Sequence, residues 1–126
     1  MNGIREEKYV ADTNALIYLL SGNKCMEPFS SASLLVSVIS EMELLSFPEM
    51  RKGEEAIIRS YLSACTVLPL NTSVKETAIS LRRKYRIKLP DAIVAATAVS
   101  YEVPLLTADK GFSKIEELRL KLLMPE

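Results

Sequence analysis

Four acidic residues stand at places where short apolar runs give way to helical patterns. Asp12 closes the run that starts at Lys8 and opens a helical stretch. Glu43 lies one turn into the helical stretch that follows a second run, Asp91 begins a long apolar helix, and Asp109 follows the run Leu105-Leu-Thr107. In an open α/β sheet, ligands bind outside the carboxyl ends of the strands, so acids at these joints are candidates for chemistry. Three or four carboxylates drawn into one cleft repel each other and raise their own pKa values unless a cation neutralises them. Mg²⁺ or Mn²⁺ is the natural complement, because hard cations prefer oxygen ligands.

Each acid also has a structural explanation when taken singly. Asp12 could cap the first helix. Ser40-Glu-Met-Glu43 has the spacing of a capping box, in which Glu43 would bond back to the Ser40 amide. Asp91, just after Pro90, could be first-turn charge that complements the helix dipole. Asp109 could be a turn residue before Gly111. Their combination at comparable joints is what argues for one site.

The sequence contains no histidine. That removes the Ser-His-Asp and Cys-His arrangements, histidine acid–base pairs and every His-ligated metal site. If the protein is a hydrolase, carboxylates must act directly or hold the ion that ionises water. The two cysteines, Cys25 and Cys65, form no CxxC pair, which excludes a structural zinc site and points to buried free thiols.

The elements that must position these acids follow from the chain pattern. At 126 residues there is room for one domain, 1–126, burying roughly two-thirds of its unfolded surface. Residues 8–12 read as a strand and Thr13 to Leu20 as a helix. Leu34 to Val38 read as a second strand, Ile39 to Phe47 as a helix stopped by Pro48, and Glu54 to Ala64 as a third helix. Ile57, Ile58, Tyr61 and Leu62 should form the inner face of that third helix, with a dimer face as their alternative use. Thr66 to Leu70 should be a third strand, and Ser73 a cap for a long helix striped by Val74, Ala78, Leu81 and Tyr85. Asp91 to Ser100 is apolar nearly all round and should be deeply buried. Leu105 to Thr107 is a fourth strand, a short helix then runs through Leu118, and 119–123 could be a fifth strand. Strands separated by helices predict a parallel sheet between helical layers.

No apolar run approaches the ~20 residues of a membrane-spanning helix, and residues 1–8 lack the apolar core of a secretory signal. The chain therefore reads as cytoplasmic, with no membrane partner. Lysine plus arginine equal aspartate plus glutamate at 16 each, so any attraction to nucleic acid must come from a local patch. Arg82, Arg83, Lys84, Arg86 and Lys88, just before Asp91, are the candidate patch; they are either a solvated helix face or phosphate contacts.

Val10-Ala-Asp-Thr-Asn-Ala-Leu16, Ser37-Val-Ile-Ser-Glu-Met-Glu-Leu-Leu45, Leu89-Pro-Asp-Ala-Ile-Val-Ala-Ala-Thr97 and Leu105-Leu-Thr-Ala-Asp-Lys-Gly-Phe112 come in an order that resembles the successive motifs of PIN-domain ribonucleases. Among these the chain is most similar to the VapC-like toxins of toxin–antitoxin pairs, and the resemblance covers nearly all of it. It implies a three-layer α/β/α domain with a central, mainly parallel sheet of four to five strands. It also implies a metal-dependent endoribonuclease acting by in-line attack that leaves a 5′-phosphate. Asp12, Glu43, Asp91 and Asp109 match the acidic positions, with Mg²⁺ or Mn²⁺ as the ion and Thr13, Asn14 and Thr107 as hydrogen-bonding support. Glu41 competes with Glu43, since on a helix the two lie about 200° apart and cannot both face one pocket. Many members carry another acid where this chain has Gly111, which bears on a second metal ion. The resemblance further implies an RNA substrate, a cognate antitoxin and a homodimer.

Two other readings remain open at this stage. A haloacid-dehalogenase-like or receiver-like Asp–Mg²⁺ protein fits poorly, because Asn14 and Leu70-Asn71 occupy the positions where each would need an aspartate. A PIN-like module without catalysis, serving in RNA binding or protein interaction, is the non-enzyme alternative.

Overall fold

The computed structural model describes residues 7–126; the segment 1–6, which bears on the absence of a secretory signal, lies outside the described residues. The chain runs β1 (Lys8–Ala11), α1 (Thr13–Leu20), a 3-10 helix (Lys24–Phe29), β2 (Ser33–Ser37), α2 (Val38–Leu45), α3 (Glu54–Ser63), β3 (Thr66–Leu68), α4 (Thr72–Tyr85), α5 (Leu89–Ser100), β4 (Leu105–Thr107), a second 3-10 helix (Lys110–Lys114) and β5 (Leu120–Leu122). The five strands form one sheet in the order β3-β2-β1-β4-β5, and every neighbouring pair is parallel. Val10 registers against Leu35 on one side and Leu105 on the other, so β1 is central.

Strand alternation divides the interior into two cores. Val10 and Leu105 point to the face covered by α4 and α5, where Val74, Ala78, Leu81 and the buried run of α5 meet Phe112 and Ile115. Tyr9, Ala11, Val36 and Leu106 point to the opposite face, covered by α1, α2 and α3 through Leu16, Leu44 and Leu62. Period-two alternation in strands buried on both sides is what a three-layer α/β/α arrangement requires.

Several boundaries differ from the sequence expectation, each for a local reason. The long helix begins at Thr72, and its cap is Asn71, whose side chain accepts the Val74 amide; Ser73 lies inside the first turn. Ser37 ends β2 and caps α2, so Ser40 sits within the helix and the Ser40–Glu43 capping box does not form. The buried helix begins at Leu89, because Pro90 fits the first turn, where its missing amide costs nothing. The third strand stops at Leu68. The stretch after Asp109 is one short 3-10 helix rather than a helix reaching Leu118. Leu62 is buried and Ile58 and Tyr61 are half-buried, but Ile57 is 64% exposed, so the four residues of α3 do not form one inner face. Cys25 and Cys65 are free but only half-buried. Among the described residues no helix is long and apolar enough to cross a membrane.

The sheet order contains one reversal that matters. From β1 the chain builds outward through β2 to β3, then returns over α4 and α5 to place β4 on the other side of β1. The loops after β1 and β4 therefore diverge to opposite faces and leave a crevice at the carboxyl ends of these two strands. Leu106 is fully buried beside that crevice and pairs with Ala11. Leu106→Ala should lower stability by about 2–5 kcal/mol, read as a shift in the urea unfolding midpoint with an unchanged slope.

Candidate functional site

Asp12 is the first residue beyond β1 and lies at the mouth of the crevice, only 7% exposed. Its backbone is extended and its Oδ1 accepts the Ala15 amide at 2.8 Å, so it does cap α1. Its Oδ2 accepts the hydroxyl of Thr107, the last residue of β4. The Thr107 oxygen in turn accepts the Asp109 amide at 3.0 Å, and Asp109 Oδ1 accepts the Gly111 amide at 2.8 Å. One threonine thus fixes an aspartate on each of the two diverging loops.

From α2, the exposed Glu43 accepts the Thr13 hydroxyl at 2.6 Å. This tertiary bond takes the place of the capping box. Glu41, two residues earlier, makes no side-chain hydrogen bond or ion pair among the described residues. Asp91 stands in the first turn of α5 and is half-buried. Asn14 is exposed and makes no side-chain hydrogen bond among the described residues.

The electrostatics tie these groups to one another. Burial pushes the Asp12 carboxyl above its ordinary value, bonds from Thr107 and Ala15 oppose this, and the charges of Asp109 and Asp91 push it further up. Asp91 is raised as well, first by burial and then by Asp109 and Glu43, with Lys88 pulling the other way. Mutual repulsion of this kind requires proximity, so Asp12, Glu43, Asp91 and Asp109 share one electrostatic neighbourhood. Asp12 has no ion-pair partner among the described residues, so its buried charge is met by two hydrogen bonds and no countercharge.

Could these residues hold a divalent ion? The donor set is all carboxylate and hydroxyl oxygen, which suits a hard cation. No group of three or more acidic or thiol side chains among the described residues is gathered closely enough to ligate an ion directly. At most two of these side chains could then ligate an ion directly, with water completing its shell.

Two cavities flank the acids. A cleft of about 690 Å³ has Thr13 and Glu43 at one edge and apolar walls that include Ile17, Phe47, Met50 and Ile57. A smaller one of about 240 Å³ contains Asp91 and Asp109 together with Arg86, Lys88 and Lys114. The five cations singled out in the sequence therefore separate. Arg86 and Lys88 border the acids, while Lys84 is paired with Glu117 at 3.4 Å and lies 5.3 Å from the centre of the Tyr85 ring. Arg82 and Arg83 are in the last turn of α4 and line neither cavity. Lys114 drew no attention in the sequence because it lies 23 residues beyond Asp91 and in no basic run. The apolar cleft was equally hidden, since it joins residues of three helices.

Comparison with known proteins bears on the family and the fold. The PIN domain family pattern matches residues 9–118. A toxin–antitoxin complex from Klebsiella pneumoniae contains a chain 31% identical to this one, with 87% of this chain and 94% of that one aligned at a TM-score of 0.76. A chain of VapBC-1 from nontypeable Haemophilus influenzae is 23% identical over 91% of this chain and 97% of that one, with a TM-score of 0.80. A chain of DNA-bound VapBC from Salmonella typhimurium is 21% identical over 91% and 97%, with a TM-score of 0.77. The last two likenesses speak to the fold alone. Comparison with curated proteins gave no match.

The raised Asp12 has a consequence for stability. Its pKa is higher in the folded chain than in the unfolded one, so its ionisation costs the fold. That cost is absent below the unfolded value near ~3.9 and complete once pH passes the folded one. Asp12→Asn keeps an oxygen for the Ala15 amide and removes the charge. In chelator its melting temperature should exceed the parent's at about pH 7, and the gap should close toward about pH 4. A gap of the same size at both ends would show that Asp12 ionisation carries no cost.

Proposed function

The chain belongs to the PIN-domain family, and from that premise we propose that it is a metal-dependent endoribonuclease of the VapC-like kind, the toxin of a toxin–antitoxin pair. The observation that carries this reading is Asp12: a buried carboxylate at the switch point, without a cationic partner, pressed upward in pKa by burial and by Asp109 and Asp91. Such a group is held at a cost that a bound cation would relieve.

Asp12, Glu43, Asp91 and Asp109 would hold Mg²⁺ or Mn²⁺ directly or through water. When bound, the ion supplies a water of lowered pKa and neutralises charge developing on a phosphate. The chain's own part is positioning. Thr107 and the Ala15 amide fix the Asp12 carboxylate where β1 ends. Thr13 restrains Glu43, which would otherwise be a free surface side chain. Asp109, tethered at its amide by Thr107 and at Oδ1 by the Gly111 amide, would ligate the ion or orient the attacking water. Asn14 has no partner that assigns it a role in this scheme.

The antitoxin belongs to the same reading. Ile17, Phe47 and Ile57 are 45%, 60% and 64% exposed along the apolar cleft that ends at Glu43. Exposed apolar side chains gathered on one cleft mark an interaction surface. A partner segment with an apolar face lying there would reach the acids from one side, and the likeness to a toxin–antitoxin complex supports that partner. A homodimer, a single domain and a cytoplasmic location complete the reading.

The test is incubation of total cellular RNA with the purified protein in Mg²⁺ or Mn²⁺, beside a chelator control and the Asp12→Asn and Asp91→Asn variants, with new RNA ends mapped. Discrete metal-dependent cuts should appear and should fall at least about 100-fold in both variants, the upper end of what loss of an outer partner costs a metal site. Cutting that persists undiminished in both variants would remove the acids from the mechanism. No cutting by the folded, antitoxin-free protein would favour a module that binds RNA or protein without catalysis.

A further inference from the structure

The smaller cavity has a chemistry of its own. Arg86 and Lys88, from the break between α4 and α5, and Lys114, from the 3-10 helix after β4, face Asp91 and Asp109 across about 240 Å³. Three cations thus meet two carboxylates, and none of the three forms an ion pair among the described residues. Gly111 forms part of the wall and contributes no side chain; a Cβ there would lie 3.0 Å from Asp109 Oδ1, so that carboxylate would have to give by a few tenths of an ångström. The wall is therefore open and carries no third negative charge.

The backbone at Arg86 adds a second observation. Arg86 ends α4 in the left-handed conformation, with φ 53° and ψ 43°, a position where glycine or asparagine is the comfortable choice. Strain kept at a cavity mouth by an unpaired arginine points from structure toward use. Next to it, Lys88 caps α5 without a side-chain capping bond, so first-turn amide donors of that helix have no side-chain acceptor there. The three cations therefore outnumber the two carboxylates that share the cavity, and none of them is closed off by an ion pair among the described residues.

We propose that the Arg86–Lys88–Lys114 cavity is a phosphate subsite that seats a backbone phosphate of the RNA strand beside the acids. It holds the strand on the side opposite the apolar cleft. The proposal takes the identity of the strand from the ribonuclease reading, but its contacts do not depend on cleavage. Lys84, committed to Glu117, lies outside it.

The test measures binding with cleavage disabled. A labelled single-stranded RNA is titrated with the full chain carrying Asp12→Asn, in chelator, over a series of salt concentrations. Arg86→Asn, Lys88→Gln and Lys114→Gln are then added singly, with Lys84→Gln as the control. Asparagine suits the left-handed backbone, so Arg86→Asn should keep the fold, and Arg86→Lys should restore the charge. Each of the three subsite variants should reduce the slope of log K against log salt, by at most about 0.7, the value for one phosphate contact on a single strand. Arg86→Lys and Lys84→Gln should leave it unchanged. Unchanged slopes in all three, or an equal loss in Lys84→Gln, would overturn the proposal. Saturable binding of inorganic phosphate, lost in Arg86→Asn while the RNA slopes stay unchanged, would overturn it by making the cavity a site for free phosphate. Altered slopes in a protein that cuts no RNA would leave the subsite standing and remove the nuclease.

Discussion

The structure depends on a carboxylate placed where the sheet changes direction. Asp12 follows the central strand, and the neighbouring loop on its far side follows β4, so no backbone element fills the space between them. A buried negative charge there is tolerable only because its two oxygens are met by an amide and a hydroxyl. Thr107 does this with the last side chain of β4 and at the same time ties down Asp109. The positions of two acids on diverging loops are thereby set by one hydroxyl held in a fully buried strand. Removing that hydroxyl would loosen both loops at once.

The surroundings of the acids are asymmetric, and the asymmetry follows from which helices cover which face. On the α1–α2–α3 side, α3 is short of buried contacts and leaves Ile57 in the open, so the rim beside Glu43 is apolar. On the α4–α5 side, the helices are joined by a tight break through Arg86 and Lys88, so the rim beside Asp91 is cationic. An overall charge balance of zero conceals this separation. A polyanion and an amphipathic protein segment could each approach the same acids from a different side, and occupation of one rim need not remake the other.

Much of this was legible in the sequence because it rests on local pattern. Apolar runs ending in Asp12 or just before Asp109 announce strand ends, and the nearly unbroken apolar surface of Ala92 to Val99 announces a helix buried between layers. What was not legible rests on tertiary competition. Ser40 and Glu43 have the right spacing for a capping box, but Ser37 takes the cap and Thr13 takes the glutamate, and neither outcome is written in the motif itself. Asn71 and Ser73 are both good caps, and the choice turns on where β3 releases the chain. The basic run Arg82 to Lys88 reads as one patch, yet the left-handed turn at Arg86 sends its members to different surroundings. Lys114 could not be read at all, since only the fold brings it to Asp91.

The alanine content of α5 explains why the acids meet. Ala92, Ala95, Ala96 and Ala98 are almost entirely buried, and with small side chains a helix can lie close against a sheet. α5 contacts both β1 and β2 as well as α2, the helix that carries Glu43. Its amino end, and Asp91 with it, is thereby drawn toward the carboxyl end of the central strand. Thr97, fully buried within this helix, satisfies its hydroxyl on the Ile93 carbonyl and so adds no polar debt to the packing. A bulkier α5 would stand farther from β1 and carry Asp91 away from Asp12 and Asp109. The burial that raises the pKa of Asp91, and the repulsion that adds to it, thus both result from close packing in the core: the apolar interior is what holds like charges together at its edge.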